Sequence, residues 1–286
     1  MNLDKLYETG RWMLRTSDDG VSYGGFRRKR IGAWNKAEKW TGKPSCNTCD
    51  GFFGIDKEAN EFGLLWNRNT IELCEWRGER VVIGDDKSCV SEFRVVAINS
   101  DIPDKFFEAC NIKVAHDGDV VSPGYREQWV ALEGHCKVIN QSGGVFWALD
   151  NTHQTVSGQR GGEFLAHGRS EQTVSGQTDG EFCAHGRSTQ KVYGQTGGAF
   201  CAHDHSSQKV SGQSGGVFWA GDRSSQTVSG QTGGEFRAYD HSKQKVSGQT
   251  GGEFRAYDHS KQKVSGQRGG GFLAYDNSKQ VWKGEK

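Results

Sequence analysis

Four residue types suited to binding anions return together near the end of the chain. An arginine, a tyrosine, a histidine and a lysine stand at alternate positions, and the same set is repeated eighteen residues later. Basic groups bind phosphates and aromatic rings stack on bases, so the pattern predicts a surface for nucleic acid or another anionic polymer. The same residues also suit a rod whose tyrosines pack together and whose basic groups confer solubility. The predicted surface comprises Arg237, Tyr239, His241, Lys243, Arg255, Tyr257, His259 and Lys261, with Trp219 and His203 from earlier segments.

Cysteines in the first third of the chain offer a candidate metal site. Cys46 and Cys49 have the C-x-x-C spacing of a zinc ribbon, and Cys74 and Cys89 are the candidates to complete four ligands. A ribbon would have a second close pair, whereas these last two have fourteen residues between them. We therefore expect no cofactor, with zinc as the alternative.

Histidines and cysteines also recur later in the chain, at intervals of eighteen residues. His167, His185 and His203 would share an ion if they stacked, but no acidic or thiolate partner for them is evident from the sequence. Cys183 and Cys201 have the same spacing. In a reducing compartment we expect these two to be free thiols rather than a disulfide.

Enzyme motifs are few. The sequence contains no nucleophile elbow, P-loop, HExxH or dinucleotide-binding glycine motif. His116 and His135 are the only histidines before the repeats, which leaves few candidates for acid-base catalysis. Arg15 followed by Gly51-Phe52-Phe53-Gly54 resembles the elements with which ADP-ribosyltransferase-like folds hold a nicotinamide nucleotide. The alternative is a surface strand residue followed by a glycine turn.

A fixed repeat of eighteen residues dominates the second half of the chain. A valine recurs from Val138 to Val264 and a phenylalanine from Phe146 to Phe272, and such equal units are typical of solenoids. Apolar, small and turn-forming residues stand at even-numbered positions and polar residues at odd-numbered positions. This alternation predicts β-strands with one buried face. Because eighteen is even, each coil returns every side chain to the same face. The predicted fold is mainly β: a small β or α+β N-terminal domain, then a parallel β-solenoid (β-helix) of about eight coils.

Each coil is predicted to contain two strands, centred on Lys-Val-Ser-Gly and Glu-Phe-Arg-Ala-Tyr. A triangular coil of three hexapeptides is the alternative, although the apolar positions are eight and ten residues apart rather than six. The predicted domains are a compact N-terminal domain over 1–135 that caps the solenoid, the solenoid over 136–281, and a C-terminal cap or tail over 282–286. Residues 126–136 look like a degenerate coil.

Stacking in register would turn each outward position into a stripe along the rod. We predict a basic-aromatic side and, on the opposite strand, a polar-acidic side. That second side comprises a glutamine ladder from Gln159 to Gln267 and an acidic row of Glu163, Glu181, Glu235 and Glu253. Outward Trp147 and Trp219 would allow rods to pair, so a homo-oligomer is one expectation.

The composition gives no global electrostatic reason to bind nucleic acid or membranes, because the formal net charge is only +1. The first fifteen residues are charged and lack the apolar core of a secretory signal. No window approaches eighteen apolar residues, so we expect no membrane association and a cytoplasmic location.

The first 135 residues are predicted to form a mostly β domain. RWMLRTS reads as a strand, followed by a turn at Asp18-Asp19-Gly20 and another strand. TIELCEW, ERVVIG and EFRVVAI are further strands, separated by turns at RGE and GDDK. DIPDKFFEAC is predicted to be a short helix with Asp101 near its start.

Several N-terminal motifs resemble those of an uncharacterised group of bacterial and phage-encoded proteins. The residues that match the group's pattern are Tyr23-Gly24-Gly25-Phe26, Trp34, Cys46, Gly51-Phe52-Phe53-Gly54, Cys74-Glu75 and Asp85-Asp86-Lys87. The repeats are similar in style, while Cys49 departs from the pattern. The resemblance covers roughly the first third of the chain; it implies a phage or prophage setting and no defined activity.

These patterns favour a non-enzymatic interaction or scaffold protein of a bacterial host cytoplasm, whose rigid solenoid binds a partner macromolecule, foremost a protein. The alternatives are binding of nucleic acid or an anionic polymer and an ADP-ribosyltransferase-like N-terminal domain. The candidate residues of that domain are Arg15, Tyr23, Gly24, Gly25, Phe26 and Trp34.

Overall fold

The protein divides into two compact units, Met1–Val114 and Ala115–Lys286. The computed structural model describes residues 2–22, 25–42, 51–59, 68–84, 87–149, 151–158, 160–176, 179–194, 197–212, 215–230, 233–248, 251–266 and 271–283. Tyr23, Gly24, Cys46, Cys49 and the predicted glutamine ladder from Gln159 to Gln267 lie outside these residues.

The N-terminal unit is built on an antiparallel sheet with strand order β1-β4-β5-β2, in which β3 also pairs with β5. Its strands are β1 Trp12–Ser17, β2 Asn35–Lys36, β3 Phe52–Gly54, β4 Thr70–Ile83 and β5 Lys87–Ile98. The helices are α1 Leu3–Thr9, a 3-10 turn at Asn99–Asp101, and α2 Asp104–Glu108. Helix α1 begins after Asn2, whose Oδ1 accepts hydrogen bonds from the main-chain amides of Asp4 and Lys5 at 2.9 and 3.1 Å.

Most of the predicted N-terminal elements are confirmed, and two are wrong. TIELCEW and ERVVIG form one continuous strand, because the RGE segment is a β-bulge with Gly78 at φ +78° rather than a turn. The strand expected after Gly20 is replaced, among the described residues, by isolated bridges that join Val21 to Asp18 and to Arg27.

The second unit contains two ten-stranded parallel sheets. The strands of the first, the phenylalanine sheet, are β6 Ile112–Ala115, β8 Gln128–Ala131, β10 Val145–Ala148, β12 Glu163–Ala166, β14 Glu181–Ala184, β16 Ala199–Ala202, β18 Val217–Ala220, β20 Glu235–Ala238, β22 Glu253–Ala256 and β24 Gly271–Ala274. The strands of the second, the valine sheet, are β7 Val120–Val121, β9 His135–Ile139, β11 His153–Ser157, β13 Glu171–Ser175, β15 Thr189–Tyr193, β17 Ser207–Ser211, β19 Ser225–Ser229, β21 Lys243–Ser247, β23 Lys261–Ser265 and β25 Lys279–Lys283. The chain passes between its two units within β6.

The predicted parallel β-solenoid is confirmed, with two strands in each described coil. Strands pair in register at eighteen-residue steps, so that Phe236 lies beside Phe254 and Val246 beside Val264. The phenylalanines, valines and alanines that face between the sheets are buried throughout β10 to β22. Successive phenylalanine rings stack with centroids 4.8–5.8 Å apart. From β10 to β22 the repeated core residues are therefore the same in each coil.

A ladder of buried glutamines also runs inside the solenoid. Each side-chain Nε2 from Gln190 to Gln280 donates to the Oε1 of the glutamine one coil earlier, at 2.6–2.7 Å. Nε2 groups also reach main-chain carbonyls of the facing sheet, as from Gln226 to Phe200 at 3.3 Å. The amides thus satisfy one another where water is excluded. These glutamines share the inward parity of the valines, but the sequence alone did not single them out.

Glycine is required where consecutive coils approach most closely. Gly198 has φ +107°, and a Cβ on it would lie 2.7 Å from the carbonyl oxygen of Gly180 in the preceding coil. A side chain there would push the coils apart.

Candidate functional site

The arginines of the predicted basic-aromatic surface are paired with glutamates on the same strand. Arg237 contacts the Oε1 of Glu235 at 2.6 Å, and Arg255 contacts the Oε1 of Glu253 at 2.7 Å. Arg255 also lies 3.6 Å from Glu235 in the neighbouring coil. The prediction that the acidic row lies on the opposite strand is therefore wrong, because residues two apart on a strand share one face. These charges are largely balanced in place.

Aromatic rings follow the same outer face of the phenylalanine sheet. Trp219 is 37% exposed, and the Arg237 guanidinium lies over its ring at 5.8 Å. Tyr239 and Tyr257 stack at 4.8 Å, and His241 and His259 stack at 5.1 Å in the following turn. The sequence prediction of stacked rows of like residues is confirmed here. We call this surface, centred on Trp219, Arg237 and Tyr239, the tryptophan face.

Lysines accumulate on the outer face of the valine sheet. They form two adjacent rows, which we call the lysine face, comprising Lys243, Lys261 and Lys279 in one row and Lys245 and Lys263 in the other. All five are exposed. No ion pair joins any of them to another described residue. Neighbouring ammonium groups along a row stem from strands ~4.8 Å apart, so they repel one another.

The sequence prediction included Lys243 and Lys261 but missed Lys245 and Lys263. Both are at outward-facing alternate positions of the Lys-Gln-Lys-Val-Ser strand. The two-residue period of that strand is the signal in the sequence that identifies them.

A second cluster lies on the outer face of β14 and β16. Cys183 and Cys201 are direct neighbours in register. The Sγ atoms lie 3.4 and 3.9 Å from the Oε1 of Glu181, and the three potential ligand atoms all lie within 4.8 Å of one another. His203 interacts with Cys201.

The hydrogen bonds of this cluster separate the two thiols electrostatically. The hydrogen bond from Cys183, aided by His203, lowers the pKa of the Cys201 thiol. The same bond, together with burial, raises the pKa of Cys183, and Cys201 raises the pKa of His203. One sulfur is therefore disposed to carry negative charge.

Trp147, which was predicted to lie outward, is instead buried near the start of the solenoid, as are Leu149 and His167. Trp147, Leu149 and His167 are only 1%, 0% and 2% exposed. Trp147 therefore cannot join Trp219 in a rod-pairing surface. Burial lowers the pKa of His167 to about 3, so its imidazole is neutral in the folded protein. His167 and His185 do stack, at 4.9 Å.

Arg15, the candidate nucleotide-binding residue, takes part in a buried ionic network. Its guanidinium lies 3.4 Å from Glu72 and 4.4 Å from the Phe93 ring centroid. Glu72 also accepts from Arg28 at 2.5 Å and from the Ser17 hydroxyl at 2.7 Å. Arg15 is 4% exposed and Glu72 is fully buried. This is the environment of a structural ion pair, and the transferase interpretation gains no support from it.

The neighbouring glycine motif is explained by packing. Phe52–Gly54 is strand β3, and a Cβ on Gly54 would lie 2.6 Å from the carbonyl oxygen of Leu14. The glycine therefore allows two strands to approach, and the expected glycine turn is wrong at this position.

The other described N-terminal candidates also pack within the unit. The half-buried Trp34 ring is flanked by the guanidinium groups of Arg77 and Arg94, at 4.1 and 4.9 Å. Phe26 is 36% exposed and packs against Phe52 at 4.9 Å. Gly25 has φ +81°, which only glycine adopts readily.

The predicted four-cysteine zinc site is not formed as a unit. Cys74 pairs with Val95, whereas Cys89 pairs with Val81, farther along the same hairpin. Seven residues of extended strand separate these positions, which corresponds to roughly 20 Å. The two thiols therefore cannot ligate one ion. Burial also raises the pKa of Cys74, which disfavours its thiolate.

The chain matches no protein-family model, no curated protein and no solved structure. Within the described part of the chain, no helix has the length and apolar character needed to cross a membrane.

Proposed function

We propose that the protein is a non-enzymatic scaffold whose solenoid binds a partner protein through the tryptophan face. The observation that carries this proposal is the contrast between inward and outward positions. Every coil from Phe146 to Phe272 keeps its phenylalanine, while the next position changes from Trp147 through Cys183 to Arg237. The repeated core thus gives every coil the same backbone position, while the residues at the surface differ from coil to coil. A bacterial host cytoplasm and a phage or prophage setting complete the proposal, on sequence resemblance alone.

The chemistry of the tryptophan face fits a protein partner better than a polyanion. Tryptophan, tyrosine and arginine are the residues that most often dominate protein interfaces. Trp219 offers a large exposed ring, and the ion pairs of Arg237 and Arg255 leave little unbalanced charge. A neutral, aromatic patch with charged groups at its rim is typical of protein recognition.

The test compares two full-length variants with altered outer faces. Partners are captured from a bacterial host lysate, identified by mass spectrometry, and purified for affinity measurement. We expect Trp219→Ser to weaken binding about 30-fold or more, as for a hot-spot residue. The double variant Lys245→Ser/Lys263→Ser alters only the lysine face and should leave the affinity within about twofold. A specific partner whose affinity is unchanged by Trp219→Ser would refute the proposed surface.

The lysine face supports a second candidate function, binding of an anionic polymer. Its five described lysines are exposed and lack carboxylate partners among the described residues, whereas Arg237 and Arg255 are paired with glutamates. A polyanion lying along the rows would relieve the repulsion between stacked ammonium groups and release its own counterions.

Binding to single-stranded DNA at several salt concentrations tests this second function. If each lysine neutralises one phosphate, Lys245→Ser/Lys263→Ser should reduce the slope of log K against log salt by about 0.7 for each lysine removed. Arg237→Ser/Arg255→Ser should leave the slope unchanged, because these guanidinium groups already have partners. Loss of the slope in the arginine variant alone would favour the original basic-aromatic surface instead.

A further inference from the structure

We propose that Glu181, Cys183 and Cys201 form a zinc site on the outer face of the phenylalanine sheet. The two thiolates and the carboxylate would be the protein ligands, and His203 would position Cys201 through their hydrogen bond. The site joins two consecutive coils, because Glu181 and Cys183 belong to β14 and Cys201 belongs to β16. It borders the tryptophan face at Trp219, the register neighbour of Cys201, and lies on the other sheet from the lysine face.

The distances from the Glu181 carboxylate oxygen to the two sulfurs already suit a tetrahedral ion. Zinc lies about 2.3 Å from sulfur and about 2.0–2.2 Å from a carboxylate oxygen, which places sulfur and oxygen about 3.5 Å apart around a tetrahedral centre. The observed separations from the Oε1 of Glu181 are 3.4 Å to the Sγ of Cys183 and 3.9 Å to the Sγ of Cys201. The ligands therefore need only small side-chain rotations to close on an ion.

The donor set selects for zinc over the common hard cations. Thiolates are soft ligands that favour zinc, whereas calcium and magnesium require oxygen ligands. Zinc binding would release the two thiol protons, and Zn²⁺ together with two thiolates and one carboxylate would give the site a net charge of −1. The fourth position of the tetrahedron would remain for water, as in sites with three protein ligands.

Neighbouring coils surround the cysteines with apolar residues. Leu165 precedes Cys183 in the same outward row, and Trp219 follows Cys201. Both cysteines are buried, while Glu181 and His203 are half-buried and leave a route for the ion. Such an apolar shell limits solvent access and strengthens the interaction of the ion with its ligands.

The sequence also supplies a natural control for folding. Leu165 occupies the row that Cys183 and Cys201 continue, so Cys183→Leu replaces a ligand with the residue of the preceding coil. This variant should retain the solenoid, as shown by an unchanged circular dichroism spectrum, while losing the metal site.

The experiment uses the full-length chain, reduced and freed of metal, titrated first with Co²⁺ and then with Zn²⁺. The background carries Cys46→Ser/Cys49→Ser so that the C-x-x-C pair cannot contribute. We expect thiolate-to-cobalt charge-transfer absorption and d–d bands of tetrahedral cobalt, both displaced by zinc. Thermal unfolding should shift upward with zinc, since ligand binding to the folded state stabilises it.

Substitutions then assign the ligands. Cys183→Leu and Cys201→Leu should abolish the charge-transfer band, and His203→Asn should weaken zinc affinity by about 10–100-fold while keeping that band, as expected for a residue that orients a ligand. Cys136→Ala removes a buried cysteine elsewhere in the solenoid and should change nothing. The proposal is overturned if the Cys46→Ser/Cys49→Ser protein binds no cobalt, or if binding survives Cys183→Leu.

Discussion

The buried glutamine ladder makes a quantitative prediction about cooperativity between coils. Gln226 donates to Gln208 and accepts from Gln244, at 2.6 and 2.7 Å, and all three are at most 2% exposed. Gln226→Leu keeps the approximate volume but leaves the Gln208 Oε1 without a donor and the Gln244 Nε2 without this acceptor. Each unsatisfied buried group costs about 1–3 kcal/mol, so the predicted loss of unfolding free energy is about 2–6 kcal/mol.

A second substitution in the same ladder should add little to that loss. In Gln208→Leu/Gln226→Leu the unsatisfied side-chain groups are the Gln190 Oε1 and the Gln244 Nε2, which is again two groups. The double variant should therefore be about as stable as either single variant, with a coupling energy of about 2–6 kcal/mol.

Urea unfolding of the full-length protein, followed by circular dichroism, measures these free energies. Hydrogen–deuterium exchange in β17, β19 and β21 locates the change in the affected coils. If the two single losses add within about 0.5 kcal/mol, the glutamines are acting independently and the ladder argument is wrong.

Three further predictions concern other buried features. Because the pKa of His167 is about 3, the folded protein binds fewer protons at this residue than the unfolded chain does. The unfolding free energy should therefore fall as the pH drops from about 6.5 towards 3, by at most about 1.4 kcal/mol per pH unit. In His167→Leu the melting temperature should depend less on pH over this range. Glu72→Gln leaves two guanidinium groups without their buried carboxylate and should lower the unfolding free energy by about 3–5 kcal/mol. Glu92→Gln removes a half-buried carboxylate whose partners Arg77 and Lys36 are exposed, and it should have far less effect in the same urea titration. Gly54→Ala brings a Cβ to 2.6 Å from a main-chain oxygen of β1 and should cost about 1–3 kcal/mol; Gly233→Ala, with no atom within 4 Å, should leave the melting temperature unchanged.

The solenoid was predictable because the same residue pattern is repeated and its apolar residues always stand at positions that face the same way. An eighteen-residue period, with Val246 and Phe254 on the same parity, specifies which side chains face inward and which coils they meet. The N-terminal unit lacks such repetition. There, a short RGE segment between two apolar runs reads as a turn, whereas the sheet continues through it as a bulge at Gly78.

The candidate surfaces were only partly predictable, because charge balance depends on neighbours across coils. The sequence pattern correctly predicts that Arg237 and Tyr239 point outward, but it does not show that Glu235, two residues before Arg237, pairs with it on the same face. The pairing of those charges changes an anion-binding surface into a nearly neutral one. Among the described residues, the positive charge that has no paired carboxylate lies instead on Lys245 and its neighbours, on the valine sheet.

The sequence by itself determined that the chain coils with a period of eighteen, because only that spacing stacks like residues on one face. It also determined that the repeated valines and phenylalanines face the core. The tertiary structure decided which outward residues are exposed, which charges are paired, and that Glu181 lies against two cysteines eighteen residues apart. These properties depend on distances of a few ångströms between side chains on different strands, and a linear pattern does not contain those distances.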